Sequence, residues 1–299
     1  MNAPGWPHVE APFHAGEQAV QQRAGTAAQM QAIGPHVIRA AMPQQHQQFL
    51  GQLPFVVLGA ADADGQPWAT LLDGPPGFVH ALDARQLRIA ARWPAGDPLQ
   101  PLLREGSALG LLGIELPTRR RNRANGQLSH LDDQGFTLAV QQSFGNCPKY
   151  IQRREAVPPK PAAASRTHQG QRLDADDIAL VRQADTFFVA TQAAVGRASG
   201  GSDVSHRGGP PGFVQMSDDG RTLTWPDFSG NGFFNTLGNL ALNPLAGLVF
   251  VDFASGGLLH LAGRAEVVWQ AGPAERLLRF TVQAVHWRPG VLAQGWQPV

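Results

Sequence analysis

The hexapeptide Gly74-Pro75-Pro76-Gly77-Phe78-Val79 returns as Gly209-Pro210-Pro211-Gly212-Phe213-Val214, 135 positions further along a chain of 299 residues. Six identical residues at nearly half the chain length read as one unit present twice. Working outward from the repeat extends the match. Residues 187–191 line up with 55–59 at an offset of 132, Val204-Ser205 with Ala69-Thr70 at 135, residues 247–253 with 110–116 at 137, and Gly263 with Gly126 at 137. So small a drift is what loop insertions produce; a shared grammar of β-turns is the alternative.

Around each copy the pattern is one of short antiparallel strands. Residues 55–60 are an apolar run, Asp62-Ala63-Asp64-Gly65 is a hairpin turn signal, and 68–72 is the return strand. Residues 78–82 and 86–90 pair around Asp83-Ala84-Arg85. Residues 108–116 are apolar without alternation, as in a strand buried on both faces; 126–131 and 136–142 complete the set. Helices are expected at 13–25, closed by Gly25, at 43–52, opened by Pro43, at 97–105, and at 174–184 with Asp174 as N-cap. Val157-Pro158-Pro159-Lys160-Pro161-Ala162-Ala163-Ala164 has no periodicity and reads as a linker. The expected fold class is mainly β with flanking helices (α+β): a barrel with a helical arm in residues 1–160, and a second barrel in 161–299.

Hydrophobic residues are 43% and charged residues 16%, with 34 Gly and 24 Pro, a globular composition rich in turns. The net charge of +1 provides no global field for nucleic acid or an anionic membrane, so any anion site has to be local. Cys147 is the single cysteine, which excludes an intrachain disulfide and a multi-cysteine zinc site. No apolar run approaches the ~18 residues of a membrane span. Residues 1–10 lack the pattern of a signal peptide, and a cytoplasmic protein is the default expectation.

The copies differ beside the repeat. In the second, a strand at 222–225 runs into Ser229-Gly230-Asn231-Gly232 and then a helix from about 233 to 242, stopped at Asn243-Pro244. Strand, Gly-rich turn and helix start expose backbone N–H groups at a positive helix end, an anion site to which Asn231 and Asn235 can add side-chain donors. Ser-Gly-Asn is also an ordinary turn. The first copy has Trp93-Pro94-Ala95-Gly96-Asp97-Pro98-Leu99 there, and Asp97 is expected to repel a phosphate. The first copy carries instead Thr118-Arg119-Arg120-Arg121-Asn122-Arg123, where the second has Ser255-Gly256-Gly257. Its arginines are either a solvated hairpin or an anion clamp reaching toward the other half. Finally, Ser205-His206-Arg207 stands where the first copy has the strand end Thr70-Leu71-Leu72, and replacing its apolar residues by His and Arg is costly inside a barrel unless something polar binds there.

With these residues laid out, the chain resembles the pyridoxamine 5′-phosphate oxidase-like family of FMN-binding split barrels, and within it a two-barrel bacterial branch. The stretches that carry the resemblance are Ser205-His206-Arg207-Gly208-Gly209-Pro210-Pro211-Gly212-Phe213, Trp225-Pro226-Asp227-Phe228-Ser229-Gly230-Asn231, Asn235-Thr236-Leu237-Gly238-Asn239, Thr118-Arg119-Arg120-Arg121 and Gln142-Ser143-Phe144-Gly145-Asn146-Cys147-Pro148-Lys149-Tyr150-Ile151-Gln152. The resemblance implies tandem duplicated split barrels that form an internal pseudo-dimer with FMN at the interface. It implies Ser205, His206 and Arg207 along the flavin edge and ribityl chain. Trp225, Pro226 and Asp227 then flank the ring, and Asn231 with the following helix start takes the phosphate. Arg119, Arg120 and Arg121 of the other barrel close the site. Where the family has an Arg-Lys pair, this chain has Gly230-Asn231, which leaves the phosphate charge to Arg207 or the 119–123 group. The family's C-terminal substrate-holding motif is poorly matched by residues 285–299, so oxidation of vitamin B6 is not expected.

The function expected on this basis is that of a flavin-dependent oxidoreductase, with a nicotinamide nucleotide or a reductase as electron donor. The alternative is a non-enzymatic flavin- or haem-binding protein, with His206 as the first haem ligand to test. A scaffold without ligand is a third reading. No nucleic acid or membrane partner is expected, and a homodimer is open. His14 and Glu17 share the spacing of metal-binding pairs but lack a third ligand, so no metal is expected. Cys147, followed by Pro148-Lys149, is either a nucleophilic thiol or a packed structural one.

Overall fold

Residues 55–61 alternate between two burial environments, and this alternation builds the architecture. The structure, a computed structural model, describes residues 5–91, 93–161, 167–270 and 276–299. The first half contains β1 (Phe55–Ala61), β2 (Pro67–Asp73), β3 (Val79–Ala81), β4 (Gln86–Ile89), β5 (Ala108–Glu115), β6 (Arg120–Asp132) and β7 (Gly135–Gly145). After β8 (Arg154–Val157) and β9 (His168–Gly170) come β10 (Thr186–Ala193), β11 (Gly201–Gly208), β12 (Gln215–Met216), β13 (Thr222–Pro226), β14 (Leu245–Asp252), β15 (Gly257–Trp269) and β16 (Arg276–Arg288), and finally β17 (Gly295–Pro298). The two seven-strand paths have one order, β2-β1-β5-β6-β7-β4-β3 and β11-β10-β14-β15-β16-β13-β12. They are tandem copies of one split barrel.

The register repeats as well. Gly59 stands opposite Gly110, and Ala190 opposite Gly247. β10 therefore repeats β1 at an offset of 131, one less than side-chain identity suggests. The ladder of β6 and β7 slips between Asn125 and Gly126, and that of β15 and β16 slips between Ala262 and Gly263. The irregularity recurs 137 positions later, so it belongs to the unit.

Because side chains alternate along a strand, each central strand serves two cores. Val56, Leu58, Leu109 and Leu111 point into the first barrel; Phe187, Val189, Leu248 and Phe250 fill the second. The intervening Val57, Leu112, Ile114, Phe188, Ala190, Val249 and Val251 meet in a third core between the barrels. Backbones approach closely there. A Cβ on Gly110 would lie 2.8 Å from Cα of Asp203, and one on Gly247 2.7 Å from Cα of Trp68, the equivalent contact on the other side. This is an internal pseudo-dimer with an approximate two-fold relation.

Helices α1 (Ala15–Arg23), α2 (Ala27–Val37), α3 (Gln44–Gly51), α4 (Ala175–Gln183) and α5 (Asn235–Leu242) flank the sheets. α3 and α4 precede the first strand of each unit, as expected, and Asp174 caps α4. α1 crosses to the second half, where Gly16 abuts the carbonyl of Gly238 in α5. His14 and Glu17 form the capping box of α1. The helix expected at 97–105 is only a 3₁₀ turn, Gln100–Leu102, because Pro98 and Pro101 remove N–H donors from so short a segment. α2 was not expected: Gly34 and Pro35 break its pattern, yet burial of Met30 and Gly34 holds it. Of the clustered arginines, read either as a solvated hairpin or as an anion clamp, Arg120, Arg121 and Arg123 belong to the strand β6 and only Arg119 lies in the turn. Of the expected linker, Val157 ends β8 and residues 162–164 lie outside the described residues. No helix among the described residues is long and apolar enough to cross a membrane.

Candidate functional site

The strand period of two decides which arginines of β6 matter. Arg121 and Arg123 share a face, which looks across the boundary at β11 of the second half. Arg123 donates from Nη2 to Oγ of Ser205 (2.7 Å) and the carbonyl of Val204 (3.1 Å), and from Nη1 to Oδ1 of Asn235 (2.7 Å). It also pairs with Asp203 at 3.0 Å. Arg121 donates from Nη1 to Nδ1 of His206 at 3.0 Å. A guanidinium cannot accept, so the imidazole proton sits on Nε2.

These groups line a cleft enclosing about 610 Å³ out to its open mouth. Ser205, His206 and Arg207 line one side and Arg121, Arg123, Asn146 and Cys147 another. The loop through Asp227, Gly230, Asn231 and Gly232 and the start of α5 close it over. An adjoining space of about 430 Å³ shares Arg121, Cys147, His206, Arg207 and Phe228 and adds Lys149, Tyr150, Phe213 and Pro226. Its aromatic rings are stacked, Tyr150 on Phe228 at 5.1 Å and Phe228 on Phe213 at 6.4 Å.

The electrostatics are one-sided. Asp227 is committed to Arg276 at 2.9 Å, and Asp203 to Arg123. Neither Arg121 nor Arg207 has a carboxylate within ion-pair distance among the described residues. Burial, then the charges of Arg123 and Arg207, pushes Arg121 down to about 10, still a cation at neutral pH. Burial, then the nearby arginines Arg121, Arg207 and Arg154, holds His206 well below its ordinary value, so its ring is neutral.

Several buried polar atoms here have no partner in the protein: Nε of Arg121, Arg123 and Arg207, Nε2 of His206, Oγ1 of Thr236 and Oδ1 of Asn146. Most are donors. The start of α5 adds more. Phe234 occupies the N-cap with φ 60°, and no side chain caps the helix. The first intrahelical bond shown is from Gly238 to Phe234, which leaves the N–H groups of Asn235, Thr236 and Leu237 without one. Unpaired cations, free N–H donors and a bare helix N-terminus converge on one space, an arrangement suited to an oxyanion.

Of the residues singled out in the sequence, Ser205, His206, Arg207, Asp227, Asn231, Asn235 and Arg121 come together in the cleft, and Pro226 lines the adjoining space. The amide of Asn235 is used up, since Oδ1 accepts from Arg123 and Nδ2 donates to Glu17 at 2.5 Å; its backbone N–H remains. Asn231 spends Oδ1 on the N–H of Phe233. Trp225 lies outside the cleft, fully buried against Phe187 in the second core. Arg119 sits exposed in the turn, with the φ of 59° where Gly256 has 73° at the equivalent place. Arg120 points to the opposite face of β6, over the ring of Phe49 at 4.9 Å. Sequence reading missed Thr236 and did not single out Arg123 among the clustered arginines. Strand alternation was the signal for Arg123; Thr236 stood within the quoted 235–239 stretch without a role of its own. His168, Asp174 and Asp177, whose ligand atoms lie within 4.8 Å of one another, cluster at the start of α4, where the two aspartates cap the helix.

No curated protein matches the chain. Solved structures resemble it over about one unit at a time, at low similarity. HupZ of Group A Streptococcus is 17% identical over 37% of this chain and 90% of its own, with a TM-score of 0.30. A protein related to general stress protein 26, from Clostridium acetobutylicum, is 17% identical over 40% and 90%, with a TM-score of 0.28. HutZ of Vibrio cholerae, the haem storage protein, is 13% identical over 40% and 96%, also at 0.28. The pyridoxamine 5′-phosphate oxidase family model matches twice, over residues 42–171 and 176–289, one match for each barrel. Fold, repeat and family match agree: the chain belongs to the pyridoxamine 5′-phosphate oxidase family and carries its unit in duplicate.

Proposed function

We propose that the cleft binds FMN and that the protein is a flavoprotein of the oxidoreductase class. The observation that carries this reading is the pair of unmatched cations, Arg121 and Arg207, beside the uncapped start of α5. A phosphate monoester supplies the charge and the acceptors that these groups lack. The glycine at 230 has open space around its α-carbon, so a phosphate can approach the backbone there. The adjoining space, with Phe213, Phe228 and Tyr150, offers apolar surface to a flavin ring.

Bound FMN would supply hydride or electron transfer. The chain's own residues hold its anionic end, shield it from water and keep His206 neutral with Nε2–H free to donate toward the occupant. Vitamin B6 oxidation is not part of the proposal. Trp296, in the C-terminal segment where the family's substrate-holding motif would fall, is buried against Phe55 in the core between the barrels, away from the cleft.

Titration of the purified protein with FMN tests the reading. Quenching of flavin fluorescence is expected, with affinity about 10- to 100-fold weaker in Arg207→Ala. A protein that neither carries flavin nor takes it up overturns it. The absorption spectrum of the same sample separates haem, whose Soret band would be lost in His206→Ala. Reduction of bound FMN by a nicotinamide nucleotide or reductase, with turnover on an acceptor, separates an oxidoreductase from a flavin carrier.

A further inference from the structure

The approximate two-fold relation generates a second position equivalent to the cleft, and its residues can be read one by one. Strand registers make His260 the counterpart of Arg123, Leu258 that of Arg121, and Ala69 and Thr70 those of Val204 and Ser205. Arg123 reaches across the boundary to the carbonyl of Val204, and Nδ1 of His260 reaches across to the carbonyl of Ala69 at 2.9 Å. Arg288 pairs with Leu258. Its counterpart is Asn146, whose N–H bonds to the carbonyl of Arg121.

An anion is already in this second position. The carboxylate of Asp97 accepts from Oγ1 of Thr70 (2.6 Å), Nη1 of Arg288 (2.7 Å) and the N–H of Leu99 (2.9 Å). These are a strand hydroxyl, a guanidinium and a backbone N–H beside the turn Gln100–Leu102. That turn stands where α5 stands in the other unit, between β4 and β5 as α5 is between β13 and β14. Asp97 and Arg288 are each 3% exposed. The remaining charges of the open cleft are gone: Leu71 and Leu72 replace His206 and Arg207, and Leu258 replaces Arg121. One cation is left, and one carboxylate matches it.

We infer that the second position is an oxyanion site occupied by the chain itself, with the Asp97 carboxylate standing in for a ligand's phosphate. The chain then has one open ligand site rather than two. Asp97, expected from sequence to repel a phosphate, replaces it. Neutralising Asp97 leaves Arg288 buried and unmatched, and a small oxyanion such as inorganic phosphate becomes the group that fits. The inference rests on reading the open cleft as an anion site, and not on the identity of the flavin.

The test compares thermal unfolding of the full chain, its Asp97→Asn variant and the double variant Asp97→Asn with Arg288→Met. Each is titrated with inorganic phosphate against sodium chloride of equal ionic strength. Phosphate bound at the open cleft stabilises all three alike. Asp97→Asn is expected to unfold at lower temperature than the parent in chloride. It should then gain about 5 °C more than the parent at a hundredfold excess of phosphate over its dissociation constant. The double variant should lose that extra gain while folding in chloride. If Asp97→Asn folds only in phosphate and not in chloride, the inference stands. An equal response of Asp97→Asn and the parent, or failure of the variant to fold in both salts, overturns it. A parent that does not respond to phosphate at all counts against the open cleft as an anion site, and the difference between variant and parent still decides the second one.

Discussion

Arg123 and Asp203 form an ion pair at 3.0 Å across the boundary between the two barrels, with both side chains almost fully buried. The same guanidinium holds Ser205 and Asn235, so one side chain joins β6, β11 and α5. Arg123→Ala leaves Asp203 buried and unmatched, at a cost of about 3–5 kcal/mol. Arg120→Ala, three positions earlier on the opposite face, removes only a stacking contact with Phe49 and should cost under about 1 kcal/mol. Denaturant unfolding of the two variants checks the contrast. Equal losses would mean that the face of β6 does not matter.

Arg121 behaves in the opposite way, because its charge has no carboxylate to lose. Arg121→Met should weaken anion binding about 10- to 100-fold and leave the unfolding temperature unchanged or higher, as removal of a half-buried, unmatched cation predicts. A parallel loss of stability and binding would show that Arg121 holds the fold rather than a ligand.

Glu17 is buried beneath Asn235, and that burial raises it from an ordinary carboxylate value to about 8. In the window from about pH 4.5 to 8 the native state keeps a proton that the unfolded chain has released. Stability from this group is therefore full on the acid side and declines as pH rises through the window. Glu17→Gln, neutral at every pH, should reduce that decline by about 1.4 kcal/mol per pH unit. Chemical denaturation of parent and variant at about pH 5, 6.5 and 8 measures the difference; parallel curves would show that Glu17 is ionised in the native state.

Two glycines separate packing from binding. A Cβ on Gly247 would lie 2.4 Å from the carbonyl oxygen of Pro67, so Gly247→Ala should cost about 1–3 kcal/mol by forcing the barrels apart. Gly230 has nothing within 4 Å of a new Cβ, yet it lines the cleft. Gly230→Ala should fold like the parent and bind FMN less tightly, read by unfolding temperature and flavin fluorescence together.

The duplication was legible in sequence because the turn Gly74-Pro75-Pro76-Gly77 constrains the backbone, and such constraints keep their residue types. Strand registers were less legible. Identity aligns Phe55 with Phe187, whereas hydrogen bonding makes Val56 the counterpart of Phe187, since any apolar residue fills a strand buried on both faces. In the cleft, Ser205-His206-Arg207 could be read because polar residues interrupt an apolar pattern. Arg120 and Arg121 could not be told apart until β6 was known to be a strand, whose alternation sends one to Phe49 and the other to His206. The partnership of Asp97 with Arg288 joins residues 191 positions apart, and no local pattern announces it.

The close packing of Gly110 on Asp203 and of Gly247 on Trp68 has a historical consequence. Two separate chains meeting in this way would carry every substitution twice, so an acid placed in one cleft would fill both and abolish binding. Once the barrels are covalently joined, a codon change reaches only one of them. Fusion is what lets Asp97 exist without a twin, and it frees each half of the molecule to vary independently of the other.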